Sequence, residues 1–218
     1  MFDLAPDSIR RELEASLARL GIDRVDLYQI HRPLPERDLE RGWQTLTELR
    51  DQGLVRCIGV SNFDVAQLER IAALEPSKTI QPAYSLMQPE AADELLPYAD
   101  DRGIGVIVYS PMGSGLLTGT MTLDRFAALP ETDWRKSDAR FSPEALARSF
   151  ELAPRLKKVG ERHGASPGEV AVAWALHHPA VHGAIVGFRS AQQVDGVVGA
   201  AELELSDDDL AVIAGAPG

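Results

Sequence analysis

The stretches VDLYQIHRP at residues 25–33 and GLVRCIGVSNF at residues 53–63 decide the fold. Each is an apolar run of strand length that ends in a polar cluster. Residues 39–52, which lie between them, have the periodicity of an amphipathic helix. Strands that are separated by a whole helix must be parallel, and their crossover is right-handed. These stretches therefore predict a parallel α/β fold.

The same alternation continues along the chain. Further strands are expected at residues 79–84, 105–109 and 184–186, and further helices at residues 6–20, 64–74, 90–102, 142 onward, 166 onward, about 190–200 and 207–214. A closed (β/α)8 barrel needs eight strands and usually about 250 residues. The sequence thus predicts a partial TIM-type barrel of about five parallel βα units, forming one domain over residues 1–218. Residues 112–141 are expected to form a lid or a binding loop.

Composition excludes several classes of partner. The net charge of −11 disfavours nucleic acid and anionic membranes, and no apolar run approaches the length of a membrane span. The single cysteine, Cys57, is expected to be a buried strand residue and is compatible with a cytoplasmic location. The four histidines other than His31 are expected at the surface or at helix ends; they are His163, His177, His178 and His182. No two of them have the spacing of metal ligands on a credible site, so no metal site is predicted.

Four of the predicted strands end in polar or aromatic clusters, at residues 28–33, 59–63, 109–113 and 186–190. In a parallel α/β protein, binding sites are built at the carboxyl ends of the strands. Four such clusters at the same topological position predict a cofactor-binding edge.

Each candidate residue also has a structural interpretation. His31 could donate a hydrogen bond to a carbonyl, or it could be a core residue. Ser61 and Asn62 could bind a ligand, or they could cap a helix and form a turn. Tyr109 could equally pack in the core. The segment from Ser110 to Leu117 could bring backbone N–H groups to a phosphate, although Gly-Ser-Gly also describes a flexible turn and no GxGxxG motif occurs.

From Pro6 to about Ile213 the chain resembles the C-terminal two-thirds of the aldo-keto reductases. The passage from Ser8 through His31-Arg32-Pro33 is similar to the third helix and fourth strand of that family. Residues 53–63 resemble its fifth-strand signature, and Tyr109-Ser110-Pro111 and the later Gly-x-Arg-Ser segment occur in the same order.

This resemblance implies the roles of the site residues. His31 would be the active-site histidine that orients and polarises the substrate carbonyl, and Tyr109 would stack on the nicotinamide. The carboxamide of that ring would be bound by Ser61, Asn62 and Gln81. The pyrophosphate would be covered by the segment that contains Ser110, Met112, Gly113, Gly115 and Leu116. In the Gly-x-Arg-Ser segment, which begins at Gly187, Arg189 and Ser190 would meet the 2′-phosphate of NADPH, and Gln193 would approach the adenosine.

The sequence also departs from the family. Only His31 has a counterpart in the catalytic Asp, Tyr, Lys and His, and Gly196 and Val197 replace a Glu-Asn pair that contacts adenine in many relatives. The expected function is NADPH-dependent reduction of aldehydes or ketones, in a chain that lacks the N-terminal third of the family and could be inactive alone. The alternative is a non-catalytic NADP(H)-binding or interaction module. A third hypothesis, a different barrel enzyme such as a hydrolase, is not supported, because the sequence has no nucleophile motif and no paired-carboxylate motif. Exposed barrel edges would favour a homo-oligomer.

Overall fold

Strands and helices alternate along the chain in the computed structural model, which describes residues 3–216. The strands are β1 (Val25–Ile30), β2 (Val55–Ser61), β3 (Thr79–Gln81), β4 (Gly105–Tyr109) and β5 (Gly183–Ile185). The helices are α1 (Pro6–Leu20), α2 (Leu39–Asp51), α3 (Val65–Ala72), α4 (Leu95–Asp101), α5 (Leu123–Ala127), α6 (Pro143–His163), α7 (Pro167–His177), α8 (Ala191–Asp195) and α9 (Asp207–Ala214).

The five strands form one sheet in the order β1-β2-β3-β4-β5. The pairs β1–β2, β2–β3 and β3–β4 are parallel, as strands separated by helices must be. The predicted five-strand α/β fold, in sequential order and with β1 and β5 at the ends of that order, is confirmed.

Several predicted boundaries are wrong for local reasons. Strand β3 ends at Gln81 and does not reach residue 84, because Pro82 has no N–H to donate to the ladder. The predicted helices over 90–102 and about 190–200 are each divided into a short 3-10 turn and a short α-helix. The long loop at 112–141 contains α5 and three 3-10 turns. Cys57 is half-buried rather than buried.

The described chain divides into two compact units, and the single domain expected over residues 1–218 stays a prediction. Unit 1 comprises Met1–Pro82 and Ala92–Ile107. Its core contains Trp43 of α2, which is fully buried. The indole Nε1 of Trp43 donates a hydrogen bond of 2.8 Å to the carbonyl oxygen of Glu75, so the large ring is buried without an unpaired donor.

Unit 2 comprises Ala83–Ala91 and Val108–Gly218. Helices α6, α7 and α9 supply its main apolar cluster, which includes Leu156, Val170 and Ile213. Helix α7 begins at the predicted capping box, in which Ser166 accepts from the backbone N–H of Glu169. Helix α9 is likewise capped by Ser206, as predicted. None of the helices within residues 3–216 is both long and apolar enough to cross a membrane.

Candidate functional site

The ends of β1, β2 and β3 bring four predicted site residues together in unit 1. Ile30 is paired with Val60 and Ser61 is paired with Gln81, so the chain leaves the neighbouring strands at the same edge. His31, Ser61, Asn62 and Gln81 occupy this edge, and we refer to them as the strand-end cluster. The register of the parallel strands, rather than nearness in sequence, assembles this cluster.

Hydrogen bonds hold the strand-end cluster in place. The Ser61 hydroxyl donates to the carbonyl oxygen of Gln81 at 2.8 Å, and Asn62 Nδ2 donates to the carbonyl oxygen of His31 at 2.9 Å. Asn62 Nδ2 also lies 3.0 Å from Ser61 Oγ. The backbone of Asn62 is left-handed, with φ of 60°, which asparagine tolerates better than most residues. Each of the three strand ends is thereby tied to the next one.

Two residues that sequence reasoning missed support this cluster. Gln29 Nε2 lies 3.0 Å from the hydroxyl oxygen of Thr79, and Gln81 Nε2 donates to Gln29 Oε1 at 3.0 Å. Strand alternation was the available signal, because Gln29 precedes His31 by two residues and therefore shares its face of the sheet. The partner of Gln29 could not be found in the same way, because it depends on the register of three strands.

His31 is exposed at the end of β1, so the core-packing interpretation of this residue is wrong. A cavity beside β1 is lined by His31, Gln29, Tyr28 and Glu12, among others. Burial raises the pKa of the Tyr28 phenol, and the negative charge of Glu12 raises it further. A raised pKa lies further from the near-neutral range that is optimal for a general acid, which disfavours Tyr28 as the proton donor.

In unit 2, the segment after β4 has an unusual backbone. Ser110 and Ser114 have φ of 56° and 55°, and Gly113 and Gly115 have φ of 57° and 99°. Left-handed backbone at closely spaced positions is typical of loops that present N–H groups to an anion. A Cβ added at Gly115 would meet no atom within 4 Å, so the backbone there is open to approach.

The side chains of this segment face different surroundings. Tyr109 is half-buried at the end of β4. The Met112 sulfur packs against Gly168 at the start of α7. It lies 3.2 Å from the point that a Cβ would occupy if Gly168 were replaced by a residue with a side chain. Leu116 is buried beside Phe141. Met112 and Leu116 therefore offer a ligand mainly their backbone.

The predicted 2′-phosphate segment lies on the surface of unit 2. Arg189, Ser190 and Gln193 are exposed, as is Gly187. The Gln193 side chain accepts a hydrogen bond of 2.7 Å from the backbone N–H of Arg189, so it shapes the turn that carries the guanidinium. Local turns also link site residues of unit 2: Gly113 N–H donates to the Ser110 carbonyl, Gly115 N–H to the Met112 carbonyl, and Gln193 N–H to the Ser190 carbonyl.

Two Asp-x-Arg turns stiffen residues 112–141. Asp133 caps its turn and forms paired hydrogen bonds with Arg135, and Asp138 does the same with Arg140. The side-chain hydrogen bond from Arg135 is the main cause that lowers the pKa of Asp133 to about 2, and Arg189 is a minor one. The Arg140 guanidinium lies 5.2 Å from the centre of the Trp134 ring. That this segment acts as a lid or a binding loop stays a prediction.

Comparison with known proteins identifies the class to which this fold and these strand ends belong. Residues 1–216 match the sequence model described as the aldo/keto reductase family. The chain therefore belongs to the aldo/keto reductase family, and the sequence-based resemblance is confirmed.

Individual relatives are similar along most of the chain. The aldo-keto reductase YhdN of Bacillus subtilis is 36% identical over 87% of this chain and 57% of its own length. An NADH-specific methylglyoxal reductase of Escherichia coli is 32% identical over 97% of this chain and 64% of its own length. The structure of a glycerol dehydrogenase from Gluconobacter oxydans superposes with a TM-score of 0.89 at 32% identity, covering 98% of this chain and 64% of that one. The chain thus spans about three-fifths of the length of these relatives, and its fold is the TIM-barrel type of the family, present in part.

Proposed function

We propose that this protein is an oxidoreductase that reduces aldehydes or ketones to alcohols, with NADPH as its cofactor. The observation that carries the proposal is the hydrogen-bonded strand-end cluster in a chain of the aldo/keto reductase family. Relatives that are named as a reductase and a dehydrogenase favour an enzyme over a non-catalytic binding module.

The residues of the strand-end cluster fit a nicotinamide carboxamide chemically. That group has one acceptor oxygen and two donor hydrogens, and side-chain amides such as those of Asn62 and Gln81 can complement both. Both amides are half-buried, which leaves each within reach of a ligand, while Ser61 is buried beneath them. When bound there, a nicotinamide ring would supply the hydride.

In this proposal His31 binds the substrate. Its exposed position beside the strand-end cluster suits an imidazole that donates a hydrogen bond to a carbonyl oxygen, which orients the carbonyl and stabilises negative charge as it develops. We assign no proton donor within the described residues, and the raised pKa of Tyr28 is the reason not to choose that nearby phenol.

Arg189 supports the preference for NADPH over NADH. Its exposed guanidinium can pair with the 2′-phosphate, which NADH lacks. We expect the protein to bind NADPH more tightly than NADH. We expect Arg189→Ala to reduce that preference by about 1.5–3 kcal/mol, the value of a hydrogen bond to a charged group. Titration of both cofactors, followed by fluorescence, measures the change.

Arg125→Ala is the matched control, because it removes an exposed arginine from another part of unit 2. It should leave the ratio of the two affinities unchanged. Equal affinity of the parent protein for NADPH and NADH would contradict the role of Arg189.

A cytoplasmic location, supported by the lone cysteine, belongs to the same proposal.

A further inference from the structure

A row of hydrogen-bonded polar side chains crosses β1, β2 and β3 beneath the strand-end cluster. Gln29 is paired with Gly59, and Gly59 is paired with Thr79, so Gln29 and Thr79 lie on either side of the central strand. Gln29 Nε2 nevertheless lies 3.0 Å from Thr79 Oγ1. Gly59 permits this contact, because a Cβ there would lie 2.0 Å from Thr79 Oγ1 and 3.3 Å from Gln29 Cγ.

The orientation of these amides follows from a backbone carbonyl. Gln29 Nε2 also faces the carbonyl oxygen of Val60 at 3.4 Å, and a carbonyl can only accept. The amide nitrogen of Gln29 must therefore point toward Val60 and Thr79, which directs its oxygen toward Gln81. Gln81 in turn must present its nitrogen to Gln29, and it does so at 3.0 Å.

These contacts leave the side-chain amide oxygen of Gln81, Oε1, for a ligand. Within residues 3–216 the Gln81 side chain makes no other hydrogen bond, and no buried side-chain oxygen or nitrogen of that range lacks a partner. The Gln81 oxygen is consequently in reach of solvent, as an acceptor held in one orientation.

We propose that Gln29 is a positioning residue that fixes the amide of Gln81 with its oxygen toward the ligand, which makes the site selective for a pyridine dinucleotide whose ring substituent donates an N–H. This inference rests on the proposed function. A ring substituent that can only accept, such as an acetyl group, has no N–H to donate to Gln81 Oε1 and would lose this hydrogen bond.

The test compares NADP+ with its 3-acetylpyridine analogue, in which a methyl group replaces the amide nitrogen. Isothermal titration should give a dissociation constant about three- to tenfold larger for the analogue with the wild-type protein, corresponding to one neutral hydrogen bond. Gln29→Met, which keeps the length of the side chain but has no amide, frees Gln81 to turn its nitrogen outward. The ratio of the two constants should then fall toward 1.

Three controls make the result decisive. Binding of 2′,5′-ADP, which has no nicotinamide, should be unchanged in Gln29→Met. Gln29→Glu loses the long contact with the Val60 carbonyl, but the Thr79 hydroxyl can donate to one carboxylate oxygen while the other still faces Gln81 Nε2, so this variant should keep the wild-type ratio. If Gln29→Met loses 2′,5′-ADP binding because it misfolds, Gln29→Lys replaces it: a side chain that only donates should draw the Gln81 oxygen inward and lower the ratio.

Two outcomes would overturn the inference, and they are distinguishable. A wild-type ratio of 1, or a ratio unchanged in Gln29→Met or its replacement, would refute the positioning role while leaving dinucleotide binding intact. A wild-type protein that binds neither NADP+ nor 2′,5′-ADP would refute the proposed function, and the inference with it.

Discussion

Gly59 has no side chain, and the arrangement of three strands depends on that. A Cβ at this position would meet both the hydroxyl oxygen of Thr79, at 2.0 Å, and its backbone oxygen, at 2.9 Å. The hydroxyl could rotate away, but the backbone of β3 could not move without disturbing its pairing with β2. The glycine is thus required by close packing and not by an unusual backbone conformation.

We expect Gly59→Ala to destabilise the protein by about 1–3 kcal/mol, the usual cost of overpacking a core. Unfolding in urea, followed by circular dichroism, measures the difference. Gly105→Ala is the matched control, because Gly105 is also a strand glycine and an added Cβ there would make only ordinary contacts, at 3.5 and 3.6 Å. A Gly59→Ala protein as stable as the Gly105→Ala protein would contradict this account.

At the scale of elements, a buried carboxylate joins α9 to α6. Asp209 is 2% exposed and accepts from the Ser206 hydroxyl at 2.8 Å and from Arg162 at 2.9 Å. His163 Nε2 lies 2.9 Å from Oδ2, the oxygen that also accepts from Ser206, whereas Arg162 donates to Oδ1. His163 was predicted only as a surface or capping residue, and its pairing with Asp209 could not be read from either helix alone.

The pKa of Asp209 reflects this setting. Burial opposes ionisation, but the hydrogen bonds from Ser206, His163 and Arg162 outweigh it and hold the pKa well below the usual range. A carboxyl whose pKa is lower in the folded state stabilises the fold above its unfolded pKa of about 3.9, and that stabilisation is lost as the pH falls toward the folded value.

We therefore expect Asp209→Asn to cost about 1.5–3 kcal/mol at neutral pH, as for hydrogen bonds to a charged group. The difference from wild type should shrink steadily below about pH 4, where the unfolded carboxyl becomes protonated. Urea unfolding across a pH series measures both. Asp208→Asn, an exposed neighbour in the same helical turn, should change stability little. A difference independent of pH would show that the charge of Asp209 is not responsible.

At the scale of the whole molecule, the sheet ends at β1 and β5, and within the described residues each has one neighbouring strand. The end at β5 also exposes apolar side chains: Ile185 is 47% exposed and Phe188 is 42% exposed. Unpaired strand edges and clustered apolar surface favour association between copies of a chain. The homo-oligomer expected from the sequence stays a prediction with this physical basis.

We expect the sedimentation coefficient of the protein to rise with concentration. Ile185→Lys should shift the equilibrium toward the monomer, because a charge on an edge strand opposes pairing. Leu74→Lys is the matched control, since Leu74 is similarly exposed at 50% but lies beyond the end of α3 and on no strand. A wild-type protein that stays monomeric over a wide concentration range would contradict the prediction.

Much of the fold was predictable because its signals are local. Helices such as α1 and α9 begin and end where proline, serine caps and glycine occur, and β1 matches its predicted bounds. The boundaries that were missed lie where local signals conflict, as at Pro82 beyond β3. The positions of the strand-end cluster were also predictable, because the strand ends could be located in the sequence. The roles that the family resemblance implies for these residues stay predictions.

The sequence by itself determined the alternation of strands and helices, the family, and the residues at the ends of β1, β2 and β3. Only the tertiary structure decided which polar side chains meet. Gln29 forms hydrogen bonds with Thr79 and Gln81, which lie 50 and 52 residues away in the sequence, and His163 pairs with Asp209, which lies 46 residues away. Such contacts depend on strand register and on how helices pack, and these properties arise from the summed burial of many apolar side chains rather than from any local motif.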